Sequence, residues 1–119
     1  MFSFIGDDCK IHSHVTIGKG VNIGNKCKVQ AGSLIYAGVT LGDNVFIGPG
    51  VCFTNDKRPP SGTWKETKVG DGVSIGANAT ILPGLTLGTG CRIGAGAVVT
   101  KSVPPGEVWV GNPAKQLLK

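Results

Sequence analysis

One spacing organises the polar and apolar positions of this chain. Counting from Ile5 in steps of six gives Ile11, Ile17, Ile23, Val29, Ile35, Leu41, Ile47 and Phe53. The register breaks once, resumes at Val69, and runs on through Ile75, Ile81, Leu87, Ile93 and Val99. All of these positions are aliphatic except Phe53. A second slot, two residues earlier, holds Ser3, Cys9, Val15, Val21, Cys27, Ser33, Val39, Val45 and Val51, then Thr67, Val73, Ala79, Leu85, Cys91 and Ala97. Residues two apart on a strand share a face. Each hexad therefore turns one small and one large residue inward and then bends.

Hexads of this kind predict an all-β parallel β-helix. Three hexads make a triangular coil with three short strands and three corners. Fifteen hexads make about five coils. Gly follows the large residue nine times, for example at Gly6, Gly24 and Gly76, and is expected there to relax the backbone at the bend. The chain reads as a single domain over 1–119, with coils at 1–53 and 69–103, an inserted loop at 54–68 and a tail at 104–119.

Composition sharpens this picture. Gly supplies 20 of the 119 residues, too many for a helical bundle, where each costs about 1 kcal/mol in a helix interior. At 40% hydrophobic residues, the chain has enough apolar surface to fold. Cys9, Cys27 and Cys91 fall in the small inward slot and read as buried thiols. Cys52 lies in neither slot. The N-terminal residues lack the basic and apolar regions of a signal peptide. Reduced thiols and a cytoplasmic location are expected. The longest uncharged run, Gly72 to Cys91, contains five Gly and a Pro, so no membrane span is expected.

Val69 follows Phe53 by sixteen residues instead of six, an insertion of ten. In a solenoid, such insertions project from one face, often the binding face. Charge concentrates in the same places. Residues 54–68 carry four basic and two acidic side chains and residues 101–119 three basic and one acidic, so four of the net +5 charges lie in loop and tail. That rim suits an anionic small molecule. No nucleic-acid motif or aromatic-rich basic face accompanies it, and no nucleic acid partner is expected. No metal site is expected either. Cys9 points inward while His12 follows the inward Ile11, and the only other His is His14.

Three stretches carry a resemblance: Ile75-Gly-Ala-Asn-Ala-Thr-Ile-Leu-Pro-Gly, Ile93-Gly-Ala-Gly-Ala-Val-Val-Thr-Lys and Gly111-Asn-Pro-Ala-Lys. Together with the hexads, they resemble the hexapeptide-repeat acyltransferases. Gly50-Val-Cys-Phe-Thr-Asn-Asp-Lys-Arg-Pro is most similar to the nucleotide-linked amino-sugar N-acetyltransferases of that family. The resemblance implies a left-handed coil, a homotrimer, and acetyl-CoA as co-substrate in a groove between subunits. It implies that Ala77 and Ala95 line that groove, that Thr100 and Lys101 meet the pantetheine or adenine end, and that Lys115 reaches a phosphate. It favours Asn55 for positioning the acceptor amine, with Asp56 as an alternative proton acceptor. Lys57 and Arg58 are candidates for the sugar-nucleotide phosphates, since Arg offers a bidentate fork. The family's other branches place a catalytic His near this loop. Here only His12 and His14 exist, in hexads well before it. Two further readings stay open: O-acetylation of a sugar or other small hydroxyl acceptor, and a non-enzymatic structural β-helix. The tail is expected to begin a short helix at Gln116.

Overall fold

The computed structural model describes residues 3–54 and 65–117. Among them are seventeen short strands and no helix. Coil one holds β1 (Phe4–Ile5), β2 (Lys10–Ile11) and β3 (Thr16–Ile17); coil two β4 (Asn22–Ile23), β5 (Lys28–Val29) and β6 (Leu34–Ile35). Coil three holds β7 (Val39–Leu41), β8 (Phe46–Ile47) and β9 (Cys52–Phe53); coil four β10 (Thr67–Val69), β11 (Ser74–Ile75) and β12 (Thr80–Ile81). Coil five holds β13 (Thr86–Leu87), β14 (Arg92–Ile93) and β15 (Val98–Val99), and the tail adds β16 (Val108–Val110) and β17 (Lys115–Gln116).

Every third strand stacks on the same face. Face A runs β1-β4-β7-β10-β13, face B runs from β2 through β5, β8, β11 and β14 to β16 and β17, and face C runs β3-β6-β9-β12-β15. All coil pairings are parallel. Partners are separated by one coil: Phe4 pairs with Asn22, Asn22 with Thr40, and Lys68 with Thr86. Across the insertion, Thr40 pairs with Lys68 instead. The ten extra residues therefore leave the register of every face unchanged. The result is an all-β parallel solenoid of about five turns, consistent with the left-handed helix expected.

The inward slots form the core. Ile35, Ile47, Phe53, Ile75, Ile81 and Leu87 are fully buried, as are the small-slot residues Val21, Cys27, Ala79 and Cys91. Inward polar side chains are all bonded to the backbone. Ser33 Oγ donates to Gly48 O (2.8 Å), and Thr67 Oγ1 accepts the Gly84 N–H (3.1 Å). Cys27 Sγ donates to Gly42 O at 3.1 Å. No buried side-chain polar atom among the described residues lacks a partner.

The glycines after the large residue have a different cause from the one expected. None of them has a positive φ. A Cβ on Gly76 would lie 2.6 Å from the Ala95 nitrogen of the next coil, so these glycines permit close stacking of corners. The left-handed backbone falls two residues later, at positions such as Gly50 (φ 70°), Asn78 (φ 60°) and His14 (φ 60°). That position suits Gly and Asn.

Two boundaries also shift. β10 begins at Thr67, so Thr67 and Lys68 belong to coil four and not to the loop. Gln116 does not begin a helix: Lys115–Gln116 pairs antiparallel with β16 and closes the C-terminal end.

Burial pushes the Cys91 thiol up to about 11 from an ordinary 9.0. The folded state thus favours the protonated thiol, and this contribution to stability is complete below pH 9 and lost as pH rises toward 11. Cys91 shares its inward column with Val45 and Val73. Cys91→Val should therefore fold normally and show a shallower loss of thermal midpoint between pH 9 and 11 than the wild type, as measured by calorimetry.

Candidate functional site

The insertion leaves the stack where face C meets face A. Both stems are tied down. The Thr54 N–H and Oγ1 both donate to Ile81 O, at 3.0 and 3.1 Å. The Thr67 N–H donates to Gly38 O at 2.9 Å. The insertion is thus anchored at both ends, at Thr54 in coil three and Thr67 in coil four. Asn55, Asp56, Lys57 and Arg58 lie outside the described residues. Two coils above the loop's root, the same corner carries Thr100 and Lys101 (Thr54 N–H donates to Ile81 O, and Leu82 N–H to Val99 O).

Thr100 and Lys101 line a cavity of about 320 Å³ together with Lys115, Trp109 and Ala114. This is within the range of small-ligand sites. The tail builds it. Val98 N–H donates to Gly111 O (2.9 Å) and Ala114 N–H to Val98 O (2.8 Å), which lays Gly111–Ala114 across the top of face C. Trp109 pairs with Ile93 and so continues an inward column. Its indole N–H donates to Glu107 Oε1 at 2.9 Å, which fixes the ring between the core and the cavity. Trp109 is a site residue that the hexad count misses, because the tail steps sixteen residues from Ile93 to Trp109 where a full coil takes eighteen. Lys101 and Lys115 are exposed, and this leaves two ammonium groups at the cavity for an anion.

Ala77 and Ala95 occupy successive rungs of a different corner, between faces B and C. Gly96 N–H donates to Ala77 O at 2.8 Å, which stacks the two turns. The corner between faces A and B shows by contrast what an alanine changes. There the N–H groups of Asp7, Asn25 and Asp43 donate to side-chain oxygens of Asn25, Asp43 and Asp71 in the rung above, at 2.7–2.8 Å. Alanine offers no such acceptor. No described residue accepts from the N–H of Ala77 or Ala95, and Ala95 is exposed. These donors are free to meet a ligand carbonyl. The expected groove residues are therefore split: Thr100, Lys101 and Lys115 come together at one edge of face C, and Ala77 and Ala95 mark the other.

His12 and His14 are exposed at the lowest turn of the corner that carries Ala77 and Ala95. Three coil steps separate Ser13 from Ala77, or roughly 14 Å at the usual strand spacing. Within one chain they do not reach the upper groove. Cys52 faces outward on face C, half-buried, and burial raises its thiol pKa. Among the described residues no cluster of His, Cys, Asp and Glu could hold a metal ion, and no helix is long and apolar enough to cross a membrane.

The repeat is shared with known proteins. The chain matches the family described as Bacterial transferase hexapeptide (six repeats) over residues 2–37, 20–55 and 66–101. It belongs to that family. Curated proteins give no match. Among solved structures, the acetyltransferase domain of PglB from Neisseria gonorrhoeae, in complex with acetyl coenzyme A, is 26% identical with a TM-score of 0.86, over 97% of this chain and 51% of that one. A galactoside acetyltransferase in complex with coenzyme A is 28% identical with a TM-score of 0.85, over 100% of this chain and 66% of that one. GDP-perosamine N-acetyltransferase from Caulobacter crescentus shares the fold at 24% identity and a TM-score of 0.87, over 98% of this chain and 51% of that one. The chain thus spans about half the length of two of these proteins and about two thirds of the third.

Proposed function

We propose that the chain is an acetyl-CoA-dependent acetyltransferase that N-acetylates the amino group of a nucleotide-linked amino sugar. The observation that carries this reading is the arrangement around face C. A ten-residue insertion with the Thr54-Asn-Asp-Lys-Arg sequence is rooted at the corner below a cavity with two exposed ammonium groups, and N–H groups with no acceptor among the described residues lie at the opposite corner. Two structures with the same fold hold acetyl coenzyme A or coenzyme A. In this reading the pantetheine runs along the Ala77–Ala95 corner. Its carbonyls accept from those N–H groups, while Thr100 and Lys101 meet the pantetheine or adenine end and Lys115 reaches a phosphate. The groove forms between subunits of a homotrimer located in the cytoplasm.

The amine lone pair attacks the thioester carbonyl carbon. The C–N bond forms, the C–S bond breaks, and coenzyme A leaves as the thiolate. A neutral sugar amine needs orientation more than strong base catalysis. Asn55 Oδ1 accepts an amine N–H and directs the lone pair at the thioester. Asp56 accepts the proton lost, and Lys57 and Arg58 bind the nucleotide phosphates. No dedicated histidine is required.

The galactoside acetyltransferase neighbour favours one second reading, transfer to a sugar hydroxyl. Thiol release from acetyl-CoA, measured across paired amino and hydroxy sugar nucleotides, separates the two. Release is expected with amino sugars alone. Asn55→Ala should lower kcat about 100-fold, the scale of one lost transition-state contact. His14→Ala should leave kcat within about twofold. The reverse pattern would move the chemistry to the histidine corner. A structural β-helix with no enzymatic role predicts no thiol release with any acceptor and no acetyl-CoA binding.

A further inference from the structure

Of the side chains that follow a large inward residue, Tyr36 is the largest, at a position that is Gly in most hexads. The coil above explains the glycines. A Cβ on Gly18 would lie 2.7 Å from the Ala37 nitrogen, and one on Gly70 would lie 2.7 Å from the Thr89 nitrogen. In both cases the obstructing residue stands nineteen positions further on. From Tyr36 the same count passes Thr54 and enters the insertion. The chain that turns tightly above Gly18 is, above Tyr36, the chain that leaves the stack.

A ring therefore stands at the foot of the insertion. Tyr36 is 37% exposed. Ile35 pairs with Phe53, so Tyr36 lies one rung, about 4.8 Å, below Thr54. The returning end carries a cation. Lys65 is exposed, and its aliphatic stem lies along Gly84, where a Cβ would be 3.1 Å from both Cβ and Cδ of the lysine. Gly84 has a φ of 78°, and its N–H donates to Thr67 Oγ1 at 3.1 Å. The bare glycine gives the stem a flat seat against the corner between coils four and five. An aromatic ring below and an ammonium group on the returning stem thus flank the two anchored ends of the insertion.

Resting on the N-acetyltransferase function proposed for this chain, in which the acceptor amine is held at the root of the insertion, we propose that Tyr36 and Lys65 divide the acceptor between them. The Tyr36 ring packs on the apolar C–H face of the amino-sugar ring, and the Lys65 ammonium meets the diphosphate. Size decides which group goes where. A sugar ring is about as wide as one rung is high, so a sugar whose amine lies at the level of Thr54 reaches the tyrosine with its carbon face. The nucleobase is separated from that sugar by two phosphates and lies beyond the reach of Tyr36. Phosphate needs a cation that can follow it, and the flexible four-carbon stem of lysine supplies one.

The test uses the full chain, the amino-sugar nucleotide that gives thiol release with the wild type, and the nucleoside diphosphate left when that sugar is removed. The second compound serves as an inhibitor competitive with the first. Tyr36→Leu should raise the acceptor KM about tenfold, the scale of one apolar ring face returned to water. It should leave the Ki of the nucleoside diphosphate and the Kd of acetyl-CoA within about twofold. Tyr36→Phe keeps the ring and should restore the wild-type KM. Lys65→Gln should raise the KM and the Ki together, by about fivefold, the scale of an exposed ion pair. A tyrosine that merely supports the fold would lower the thermal midpoint without separating KM from Ki. Both side chains are exposed, and Lys65→Gln decides the matter even where Tyr36→Leu fails to fold. If the wild type releases thiol but Tyr36→Leu leaves KM unchanged or raises Ki equally, or Lys65→Gln leaves both constants unchanged, this division of the acceptor is overturned and the N-acetyltransferase function stands. A wild type that releases thiol with no amino-sugar nucleotide overturns both.

Discussion

Phe53→Ala should cost about 3–5 kcal/mol of folding stability, the range for emptying a buried aromatic position. Domains of this size have roughly 5–15 kcal/mol in total, so the thermal midpoint should fall by about 10–20 °C. Phe53 is fully buried and pairs with Ile35 below and Ile81 above. In a triangular stack each inward side chain meets the two other faces of its own coil as well as its column, so the cavity cannot close from one side. The comparison is Phe46→Ala. Phe46 is 38% exposed on the outer surface of face B, and its removal should cost under about 1 kcal/mol. The two variants remove the same side chain. Equal losses in denaturant titrations would refute the assignment of inner and outer slots. Phe53 also precedes Thr54, the root of the loop. Its removal should loosen the base on which the proposed acceptor site stands, so activity should fall further than the folded fraction does.

The second large effect is expected at Ala95. Ala95→Trp places a bulky ring on an exposed corner. The fold should lose no more than about 0.5 kcal/mol, as surface substitutions do. The groove proposed for acetyl-CoA should fill, and affinity should drop about 100-fold, or roughly 2.7 kcal/mol. Ala97→Trp is the control. Ala97 is fully buried, so the same substitution two residues away should unfold the chain and leave binding unmeasurable. Calorimetric titration with acetyl-CoA and a melting curve on each variant check both halves. A folded Ala95→Trp that binds acetyl-CoA as the wild type does would remove the corner between faces B and C from the site.

The scaffold is legible in the sequence because its rule is local and repeated. A side chain's slot depends only on its place in a hexad, so Ile35 and Ile81 are recognised as core without knowing what they touch. The insertion is legible for the same reason, since the count of ten from Phe53 to Val69 is recovered in the pairing of Thr40 with Lys68. Features that depend on relations between coils are less so. The Asn25–Asp43–Asp71 column emerges only when rungs are aligned by eighteen and then twenty-eight residues. The small residue required at Gly76 is dictated by Ala95 of the following coil, not by its own φ. The tail abandons the hexad, so neither its strand at Lys115–Gln116 nor the place of Trp109 follows from counting. At the candidate site, Thr100, Lys101 and Lys115 line one cavity, while the roles given to them and to Asn55 to Arg58 rest on the resemblance alone.

The insertion between Phe53 and Thr67 has a consequence for how freely this architecture varies. Within the coils each strand pairs with another eighteen residues away, except across the insertion, where the separation is twenty-eight. Closing the longer segment costs only about 0.4 kcal/mol more by the logarithmic law for flexible loops. Nearest-neighbour stacking confines the disturbance to one corner, since no other coil senses the extra length. That corner behaves as a port. The chain passing through it can be lengthened, shortened or rewritten at nearly constant folding cost, and one stack of coils can present many different surfaces to whatever binds beside it.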